Sequence, residues 1–303
     1  MDQPGGTGKG GAPIDGRSRR PGSPVWMYWE DLPGTQKPPY LELCLDTIRA
    51  HLDNDMHLHL LDDETVSDWL PDLEPGVWRR LGTPVRRSDY ARVRLVERYG
   101  GLWLDADCVA VAPLRPLLDL LAVHEVVGWG ADVGGRFYNN LFCGRTAAPL
   151  LQRWIEAQDA LLAAADDWDL LPWAALGQDL MRGRLTGSGC YSIPSRRIAP
   201  VLWYEWRRLL SPVQSPARVL ASAPLTVMLW NRAMEHRLAP MSAASVLESR
   251  MLIGRLFRIA LGTSGLEDEM DIATRLSSLS NVRFSAAGRS VERRIRSTAG
   301  LRP

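Results

Sequence analysis

The sequence predicts an α/β domain in which a mostly parallel sheet is flanked by helices, with a mainly helical C-terminal extension. Up to about residue 183, short apolar segments typical of strands alternate with helical segments, as they do along the chain of a parallel sheet. A long helical segment ends at Gly100-Gly101 and leads directly into a short apolar strand. After Gly183 the patterns weaken, and the segments that can still be interpreted are helical.

The first hundred residues alternate between strand and helix patterns. Residues 25–29 are aromatic and β-prone, and a helix is predicted from Pro38-Pro39 to residue 51. Residues 56–61 alternate in polarity like a half-buried strand, and Asp62-Asp63 caps a short helix. A longer helix begins at Pro84 and runs to residue 99. Strands separated by helices in this way pair in parallel.

The same alternation continues beyond residue 100 and then fades. Strands are predicted at 102–104, 125–129 and 137–143, with a further apolar stretch at 108–112. Helices are predicted at 114–121, 149–165 and 172–182, and helical segments without a clear sheet at 201–210 and 246–261. We therefore expect a disordered Gly-, Pro- and Arg-rich leader (1–23), one domain (24–262) and a peripheral or partly disordered tail (263–303).

Composition limits the class of partner. The 303 residues carry a formal net charge of +1 and no clustered basic excess, which argues against a nucleic-acid partner. No run of 18 apolar residues predicts a transmembrane helix, and the four cysteines lack CxxC spacing, as expected in a reducing cytoplasm. We expect a cytoplasmic protein with at most peripheral contact at the inner face of the cell membrane. That contact would use the basic tail with Arg289, Arg293, Arg294 and Arg296.

The triplet Asp105-Ala106-Asp107 is the main candidate for chemistry. With 35 acidic residues in 303, about four acid-x-acid triplets are expected by chance, and those at 53–55 and 267–269 lie in polar surroundings. Asp105 and Asp107 follow an apolar strand directly, and parallel sheets place ligands at the carboxyl ends of their strands. Two carboxylates there can face one Mg²⁺ or Mn²⁺. A solvated turn at the strand end fits the local pattern equally well.

The helix before this strand carries a second charged pair. Asp89 and Arg92 are three residues apart and so share one helix face. Such a pair can bind sugar hydroxyls and a phosphate together, whereas an exposed ion pair is the commoner outcome of this spacing. Gly100-Gly101 allows a tight turn from the helix into the strand, so we expect the two acidic sites near each other.

The segment SDYARVRLVERYGGLWLDADCVAVAPL resembles the signature of the glycosyltransferase family with a DXD sugar-binding region. The family pattern is S-D-x-x-R, a helix, and Y-G-G-[IL]-[YW]-L-D-x-D, and every fixed position is filled here. The family includes bacterial capsular polysaccharide synthesis proteins, yeast initiating mannosyltransferases and, more distantly, clostridial glucosylating toxins. The resemblance is closest to the capsular polysaccharide synthesis type and covers about residues 25–182.

The resemblance implies a GT-A, Rossmann-like fold and a metal-dependent retaining hexosyltransferase. The implied partners are a nucleotide-sugar donor (a UDP- or GDP-sugar) and a saccharide acceptor in polysaccharide or glycoconjugate synthesis, and the implied cofactor is Mn²⁺ or Mg²⁺. It makes Asp107 the direct metal ligand, and Asp105 a contact of the ribose or donor sugar that reaches the metal through water. Asp89 and Arg92 would hold sugar hydroxyls and help position the diphosphate. Same-face attack needs no enzyme nucleophile, so no general base is assigned.

Aromatic and amide side chains near the strand ends are further candidates for donor binding. Trp29 takes the place of the family's first-strand aromatic residue, and it either stacks on the base or packs in the core. Trp103 replaces a tyrosine common in relatives, so a hydroxyl contact is lost at that position. Asn139 or Asn140 is expected to face the donor sugar or the acceptor, unless it is a turn asparagine.

Residues nearer the C-terminus are weaker candidates. Gln178 and Asp179 fall where relatives place sugar-contacting residues. His236, with Asn231 and Trp230, can complete the metal shell from the C-terminal region, although a lone histidine is more often structural.

Other classes of protein stay open. A metal-dependent nucleotidyltransferase or sugar-nucleotide hydrolase can use the same acidic pair, but a nucleotidyltransferase is expected to carry a Gly-rich basic loop where residues 29–33 are acidic and aromatic. A non-catalytic nucleotide-sugar-binding subunit would tolerate the loss of Asp107 or Arg92, and both are present. Nothing in the sequence resembles the delivery region that a host-modifying toxin requires.

Overall fold

A six-stranded sheet forms the centre of the part of the chain that the computed structural model describes, residues 22–31, 37–183, 189–265 and 268. Numbered along the chain and given in spatial order, its strands are β2 (Met56–Leu61), β1 (Ser23–Tyr28), β3 (Gly101–Leu104), β6 (Leu141–Gly144), β5 (Val126–Trp129) and β7 (Cys190–Ile193). β6 is antiparallel to both of its neighbours, and the other neighbouring pairs are parallel. A second, two-stranded antiparallel sheet consists of β4 (Cys108–Ala110) and β8 (Thr226–Met228).

Helices surround these strands. In the described ranges they are α1 (Pro39–Ala50), α2 (Val66–Trp69), α3 (Pro75–Arg80), α4 (Pro84–Tyr99), α5 (Arg115–Asp119), α6 (Pro149–Ala164), α7 (Ser195–Ile198), α8 (Pro216–Leu220), α9 (Asn231–Leu238), α10 (Ala243–Glu248) and α11 (Leu252–Ala260). The long helices α1, α4 and α6 begin at a proline, whose fixed φ and missing N–H suit the first helical position. The predicted mostly parallel sheet flanked by helices is confirmed.

Alternate side chains of the central strands point into two separate cores. On one face, Trp26, Trp103 and Phe142 pack in a cluster with apolar residues of α4 and α6. On the other face, Met27 and Leu102 pack in a cluster with residues of α1 and α5. Because both faces of the sheet are covered, the central strands β3, β5 and β6 are buried along their whole length, as expected in such a sheet.

The C-terminal part of the chain packs against the sheet domain. Residues of β8 and helices α9 to α11 form a third buried cluster with α1 and with Val109 of β4. β4 directly follows the acidic triplet and lies outside the main sheet, where it pairs with β8. This antiparallel pairing brings the residues that follow β8 back toward the triplet. None of the helices in the described ranges has the length and apolar character needed to span a bilayer.

Several predicted boundaries are confirmed, and others are wrong. The strand at 56–61 and the helix at 84–99 have the predicted bounds, and the helix predicted at 149–165 ends at Ala164. The strand predicted at 137–143 begins only at Leu141, and the helical segment at 246–261 is broken between α10 and α11. β7 and β8, of four and three residues, were not predicted because they are too short for a periodicity to show.

The helix predicted at 172–182 is also wrong: residues 173–183 form a series of turns. The carbonyl of Leu176, which a helix would use for its own ladder, accepts hydrogen bonds from the Trp154 indole at 3.0 Å and the Gln158 amide at 2.8 Å. Ser23, predicted as the end of the leader, is the first residue of β1. Residues 1–21 of that leader and most of the tail at 263–303 lie outside the described residues.

Candidate active site

The polar residues that the sequence singled out meet at one edge of the main sheet. Leu104 at the end of β3 lies opposite Leu141 at the start of the antiparallel β6, so the residues that follow one strand and precede the other are neighbours. The Asp105 N–H donates to the carbonyl of Asn140 at 2.8 Å and extends this ladder by one bond. The topology therefore brings Asp105 and Asp107 together with the two asparagines before β6.

Arg92 is buried between two carboxylates. Its side chain is 5% exposed, and its Nη2 lies 3.1 Å from Asp89 Oδ1 and 3.3 Å from Asp105 Oδ1. Nη1 donates to the carbonyl of Asn139 at 2.6 Å, and the guanidinium carbon lies 5.0 Å from the centre of the Trp103 ring. The alternative of a solvent-exposed Asp89–Arg92 pair is thus wrong, since one guanidinium links the helix pair to the acidic triplet.

The turn from α4 into β3 depends on glycine at two positions. Gly100 and Gly101 have φ of 70° and 98°, in the region that favours glycine. A Cβ on Gly101 would lie 2.2 Å from the carbonyl oxygen of Pro24, and the Trp26 indole donates to the Gly100 carbonyl at 2.9 Å. This close approach to β1 places the end of α4 directly before β3, as the sequence predicted.

The segment at 173–183 covers Asp89. Asn139 Nδ2 donates to Asp89 Oδ1 at 2.7 Å, and Gln158 Nε2 donates both to the Asp89 carbonyl at 2.9 Å and to the Leu176 carbonyl at 2.8 Å. A Cβ on Gly177 would lie 2.4 Å from Asn139 Nδ2 and 2.8 Å from Asp89 Oδ2, so only glycine allows this approach. The turns that replace the predicted helix thus pack closely over the Asp89 carboxylate, which Asn139 and Arg92 hold.

Burial raises the pKa of all three carboxyls at this edge. Burial raises the pKa of Asp89 to about 6, an effect that Arg92 opposes and Asp105 increases. Burial, and then the charge of Asp105, raises the pKa of Asp107 to about 6. The pKa of Asp105 is also raised by burial, and Arg92 and the Trp103 indole oppose that rise. Three carboxyl groups thus lie around a single buried guanidinium, and an added cation would stabilise their ionised forms.

The Asp89 carboxyl should destabilise the metal-free protein increasingly as the pH rises toward 6. The pKa of Asp89 is about 6 in the folded chain against an ordinary 3.8, so its stabilising effect is complete below the unfolded pKa and lost as the pH rises through the folded pKa. Asp89→Asn removes this titration, and the variant should show a weaker decline than wild type in urea unfolding at pH 4 to 7 with EDTA. An equal decline in both proteins would contradict the prediction.

The acidic pair fits a hard divalent cation. Asp105 and Asp107 supply carboxylate oxygens, the ligands that Mg²⁺ and Mn²⁺ prefer. The described ranges contain no group of three His, Cys, Asp or Glu side chains that could hold an ion. A site with two carboxylates matches a cation that keeps several waters and binds substrate phosphates, as Mg²⁺ commonly does.

Trp103 does not have the predicted role. Its side chain is fully buried on the core face of β3, so it has no surface with which to contact a donor. Its indole N–H instead donates to Asp105 Oδ1 at 2.8 Å. Trp103 therefore orients the Asp105 carboxylate from the core side of the sheet.

The other donor-binding candidates lie at or near the same edge. Trp29 follows β1, is half-buried and donates through its indole N–H to Asp31 Oδ1 at 2.9 Å. Asn140 Oδ1 accepts from the indole of Trp129 at 3.1 Å. Gln178 is half-buried and Asp179 is exposed in the segment that covers Asp89. Their contact with a donor stays a prediction.

His236 does not join the carboxylates in a metal site. It is exposed on α9, its Nε2 accepts from Arg237 Nε at 3.2 Å, and its ring lies edge-on to Trp206 at 6.3 Å. No three-residue set of His, Cys, Asp and Glu occurs in the ranges that the structure describes, so His236 does not complete one with Asp105 and Asp107.

The sequence singled out Asn231 beside His236, but it did not predict that the Asn231 backbone reaches Asp107 or that Tyr40 of α1 holds Asn231. The backbone N–H of Asn231 donates to Asp107 Oδ2 at 2.7 Å, and the Tyr40 hydroxyl donates to the Asn231 side-chain oxygen. An asparagine at a helix start after an apolar segment was the available signal for Asn231. Tyr40 lies in an apolar helix pattern that gives no such signal.

A family model and curated relatives both match this chain, in agreement with its resemblance to glycosyltransferases. Residues 15–117 match the family described as "Capsular polysaccharide synthesis protein", and this range includes the whole of α4, β3 and the acidic triplet. The lactosylceramide 4-alpha-galactosyltransferases of Pan troglodytes and Homo sapiens are each 24% identical to the chain over 192 residues, 57% of this chain and 48% of theirs. The chain thus spans about half the length of these curated relatives.

Solved glycosyltransferases overlap with the fold only loosely. The galactosyltransferase LgtC in complex with donor and acceptor sugar analogues is 16% identical, with a TM-score of 0.43 over 80% of this chain and 96% of that one. The bifunctional glycosyltransferase WbbM is 13% identical, with a TM-score of 0.44 over 84% of this chain and 52% of that one. Overlap at this level carries no argument about activity. The resemblance to glycosyltransferases of the capsular polysaccharide synthesis type, predicted from the S-D-x-x-R and D-x-D segment, is confirmed by the family match and the curated relatives.

Proposed function

We propose that this protein is a metal-dependent retaining hexosyltransferase. It transfers a hexose from a nucleotide-sugar donor to a hydroxyl group of a saccharide acceptor, in polysaccharide or glycoconjugate synthesis. The observation that carries this proposal is the buried Arg92, which links Asp89 to Asp105 beside Asp107 at the end of β3. The name of the curated relatives makes galactose the first hexose to test.

In the proposed reaction the bond between the anomeric carbon and the diphosphate oxygen breaks, and a bond from the acceptor oxygen to that carbon forms. The acceptor proton passes to the leaving phosphate oxygen, and the nucleoside diphosphate departs. Attack on the same face as the leaving group retains the anomeric configuration without an enzyme nucleophile. A divalent cation, when bound, neutralises the charge that grows on the leaving group.

The protein's part in this reaction is to orient the donor and to hold the cation. Asp105 and Asp107 would bind the ion. Of the two carboxylates that pair with Arg92, Asp105 is the more exposed, at 30%, and so the one that can accept a hydrogen bond from a donor hydroxyl. Asp89 and Arg92 are almost fully buried, so extensive contact with the donor is not expected of them. Their role would be to orient Asp105 and the segment at Asn139. Fixed charges of this kind act by positioning the reacting groups before reaction.

Donor turnover tests the proposed function directly. We expect one member of a panel of UDP-, GDP- and dTDP-sugars, with UDP-galactose first, to release its nucleoside diphosphate slowly with Mn²⁺ and not at all with EDTA, because water can replace the acceptor. Nucleoside diphosphate release is measured by chromatography, with each donor incubated alone as the control.

The other classes of protein give different products in the same assay. A sugar-nucleotide hydrolase that cuts within the diphosphate would release a nucleoside monophosphate, and a nucleotidyltransferase, once pyrophosphate is added, would form a nucleoside triphosphate and a sugar 1-phosphate. Metal-dependent binding without turnover, even when saccharide acceptors are added, would favour a binding subunit. Failure to bind any donor in thermal-shift measurements would contradict the proposal.

A further inference from the structure

Asp107 is held in place by a segment that lies far away in the sequence. The N–H of Asn231, 124 residues away, donates to Asp107 Oδ2 at 2.7 Å. The N–H of Leu229 donates to the Asp107 carbonyl at 3.0 Å. Both donors follow β8, whose pairing with β4 brings them to this point. The connection between β8 and α9 therefore fixes both the main chain and the side chain of Asp107.

Asn231 is in turn held by Tyr40. Tyr40 is fully buried in α1, and its hydroxyl donates to the side-chain oxygen of Asn231. Buried hydroxyls are usually paired, and removing a partner leaves the remaining polar group unsatisfied. The Tyr40 hydroxyl, the Asn231 side chain and the Asn231 N–H thus form a continuous link from the apolar core to the Asp107 carboxylate.

The residue before Asn231 has an unusual backbone conformation. Trp230 has φ 58° and ψ 56°, a left-handed conformation that is unfavourable for a residue with a Cβ. Its indole N–H donates to the carbonyl of Val201 at 2.9 Å, which holds this conformation from the other side. The left-handed turn directs the first N–H of α9, which has no partner within the helix, at Asp107.

We propose that Tyr40 and Asn231 are positioning residues that fix the Asp107 carboxylate beside Asp105 in the orientation that binds the cation, an inference that rests on the proposed function. The carboxylates of Asp105 and Asp107 repel each other when both are ionised, and without a fixed donor the Asp107 side chain could turn away from Asp105. A hydrogen bond to one Asp107 oxygen opposes that rotation before any ion arrives. Partners that orient a metal ligand in this way typically change metal affinity by about 10- to 100-fold when removed.

The test measures Mn²⁺ binding to the full chain in the presence of UDP, by the electron paramagnetic resonance signal of free Mn²⁺. Tyr40→Phe and Asn231→Ala should each weaken Mn²⁺ binding by about 3- to 10-fold, less than the loss of a direct partner, because both keep the Asn231 N–H and remove only the bond that holds it in place. The double variant should be no weaker than the weaker single variant, because both changes remove the same hydrogen bond. Donor turnover by either variant at low Mn²⁺ should recover as Mn²⁺ is raised.

Tyr99→Phe is the matched control. It also removes a tyrosine hydroxyl bond, to the Trp69 carbonyl at 2.7 Å, but at a place remote from Asp107. The control should lower the melting temperature without changing Mn²⁺ affinity. If Tyr40→Phe does not fold, Asn231→Ala, at a half-buried position, still tests the same bond.

The outcomes separate the two proposals. Wild type that binds no Mn²⁺ in the presence of any nucleoside diphosphate would overturn the proposed metal dependence and this inference together. Wild type that binds Mn²⁺, with Tyr40→Phe and Asn231→Ala binding equally tightly, would overturn the inference alone. Equal weakening by Tyr40→Phe and Tyr99→Phe would also overturn it, since the loss would then follow from general destabilisation.

Discussion

Asp107→Asn should strongly reduce donor turnover and at the same time make the metal-free protein more stable at neutral pH. The neutral amide cannot replace a carboxylate in holding a divalent cation, so we expect a fall in rate on the order of a thousandfold, about 4 kcal/mol in activation free energy. Stability should change in the other direction, because burial and the charge of Asp105 raise the pKa of Asp107 to about 6. The substitution removes a buried negative charge that disfavours the folded chain above that pH.

These opposite changes are measured with two assays. Nucleoside diphosphate release is followed at saturating Mn²⁺, and urea unfolding is followed at pH 7.5 with EDTA. Asp53→Asn is the matched control, since it changes the first aspartate of another acid-x-acid triplet that lies in an exposed turn. Asp53→Asn should leave both measurements unchanged. Turnover by Asp107→Asn within tenfold of wild type would contradict the assignment of Asp107 as a metal ligand.

The parts of the fold that could be predicted from sequence are those that local patterns determine. The helix at Pro84–Tyr99 has a proline at its start and glycine after its end, and its predicted bounds are those of α4. The three-residue spacing of Asp89 and Arg92 and the tight turn at Gly100 were enough to place that pair near Asp105. Each of these features depends on residues close together in the chain.

The roles of Trp103 and Leu176 could not be predicted in this way. β3 is apolar at every position, so its sequence does not show which side chains face which side of the sheet, and Trp103 was expected at a donor. The segment around Leu176 has a helical pattern, but hydrogen bonds from Trp154 and Gln158 of α6 hold its backbone in turns. Tertiary contacts override local propensity at such places.

The candidate site combines three stretches of chain that are distant in sequence. α4 and β3 supply the charged residues, and the antiparallel β6 brings Asn139 and Asn140 to the same edge. The third stretch, after β8, supplies the donor to Asp107. The first stretch carries the recognisable motif, and residues of the other two were only candidates, because the bonds that join them to Asp89 and Asp107 depend on how the strands pair.

Arg92→Leu should be the most destabilising single substitution at this site. It leaves Asp89 and Asp105 near one another without the guanidinium that lies within 3.3 Å of both. Removing one partner of a buried ion pair typically costs about 3–5 kcal/mol in the free energy of unfolding. The loss should be smaller at pH 5 than at pH 7.5, because protonation of Asp89, whose pKa burial has already raised to about 6, removes one of the unpaired charges.

Arg98→Leu on the same helix is the matched control. Arg98 pairs with Asp72, which is 78% exposed, so its loss should cost less than about 1 kcal/mol at either pH. Urea unfolding of both variants at pH 5 and pH 7.5 measures the difference. An effect of Arg92→Leu no larger than that of Arg98→Leu would contradict a buried, shared cation.

Arg92→Lys separates the charge of this residue from its shape. Lysine keeps the positive charge, but a single ammonium cannot reach Asp89, Asp105 and the Asn139 carbonyl with the geometry of the planar guanidinium. We therefore expect Arg92→Lys to recover much of the stability that Arg92→Leu loses, while donor turnover stays reduced by about tenfold or more. If Arg92→Lys recovers both the stability and the donor turnover, Arg92 acts only through its charge. Recovery of stability alone would show that donor turnover depends on how Arg92 orients Asp105 relative to Asp107.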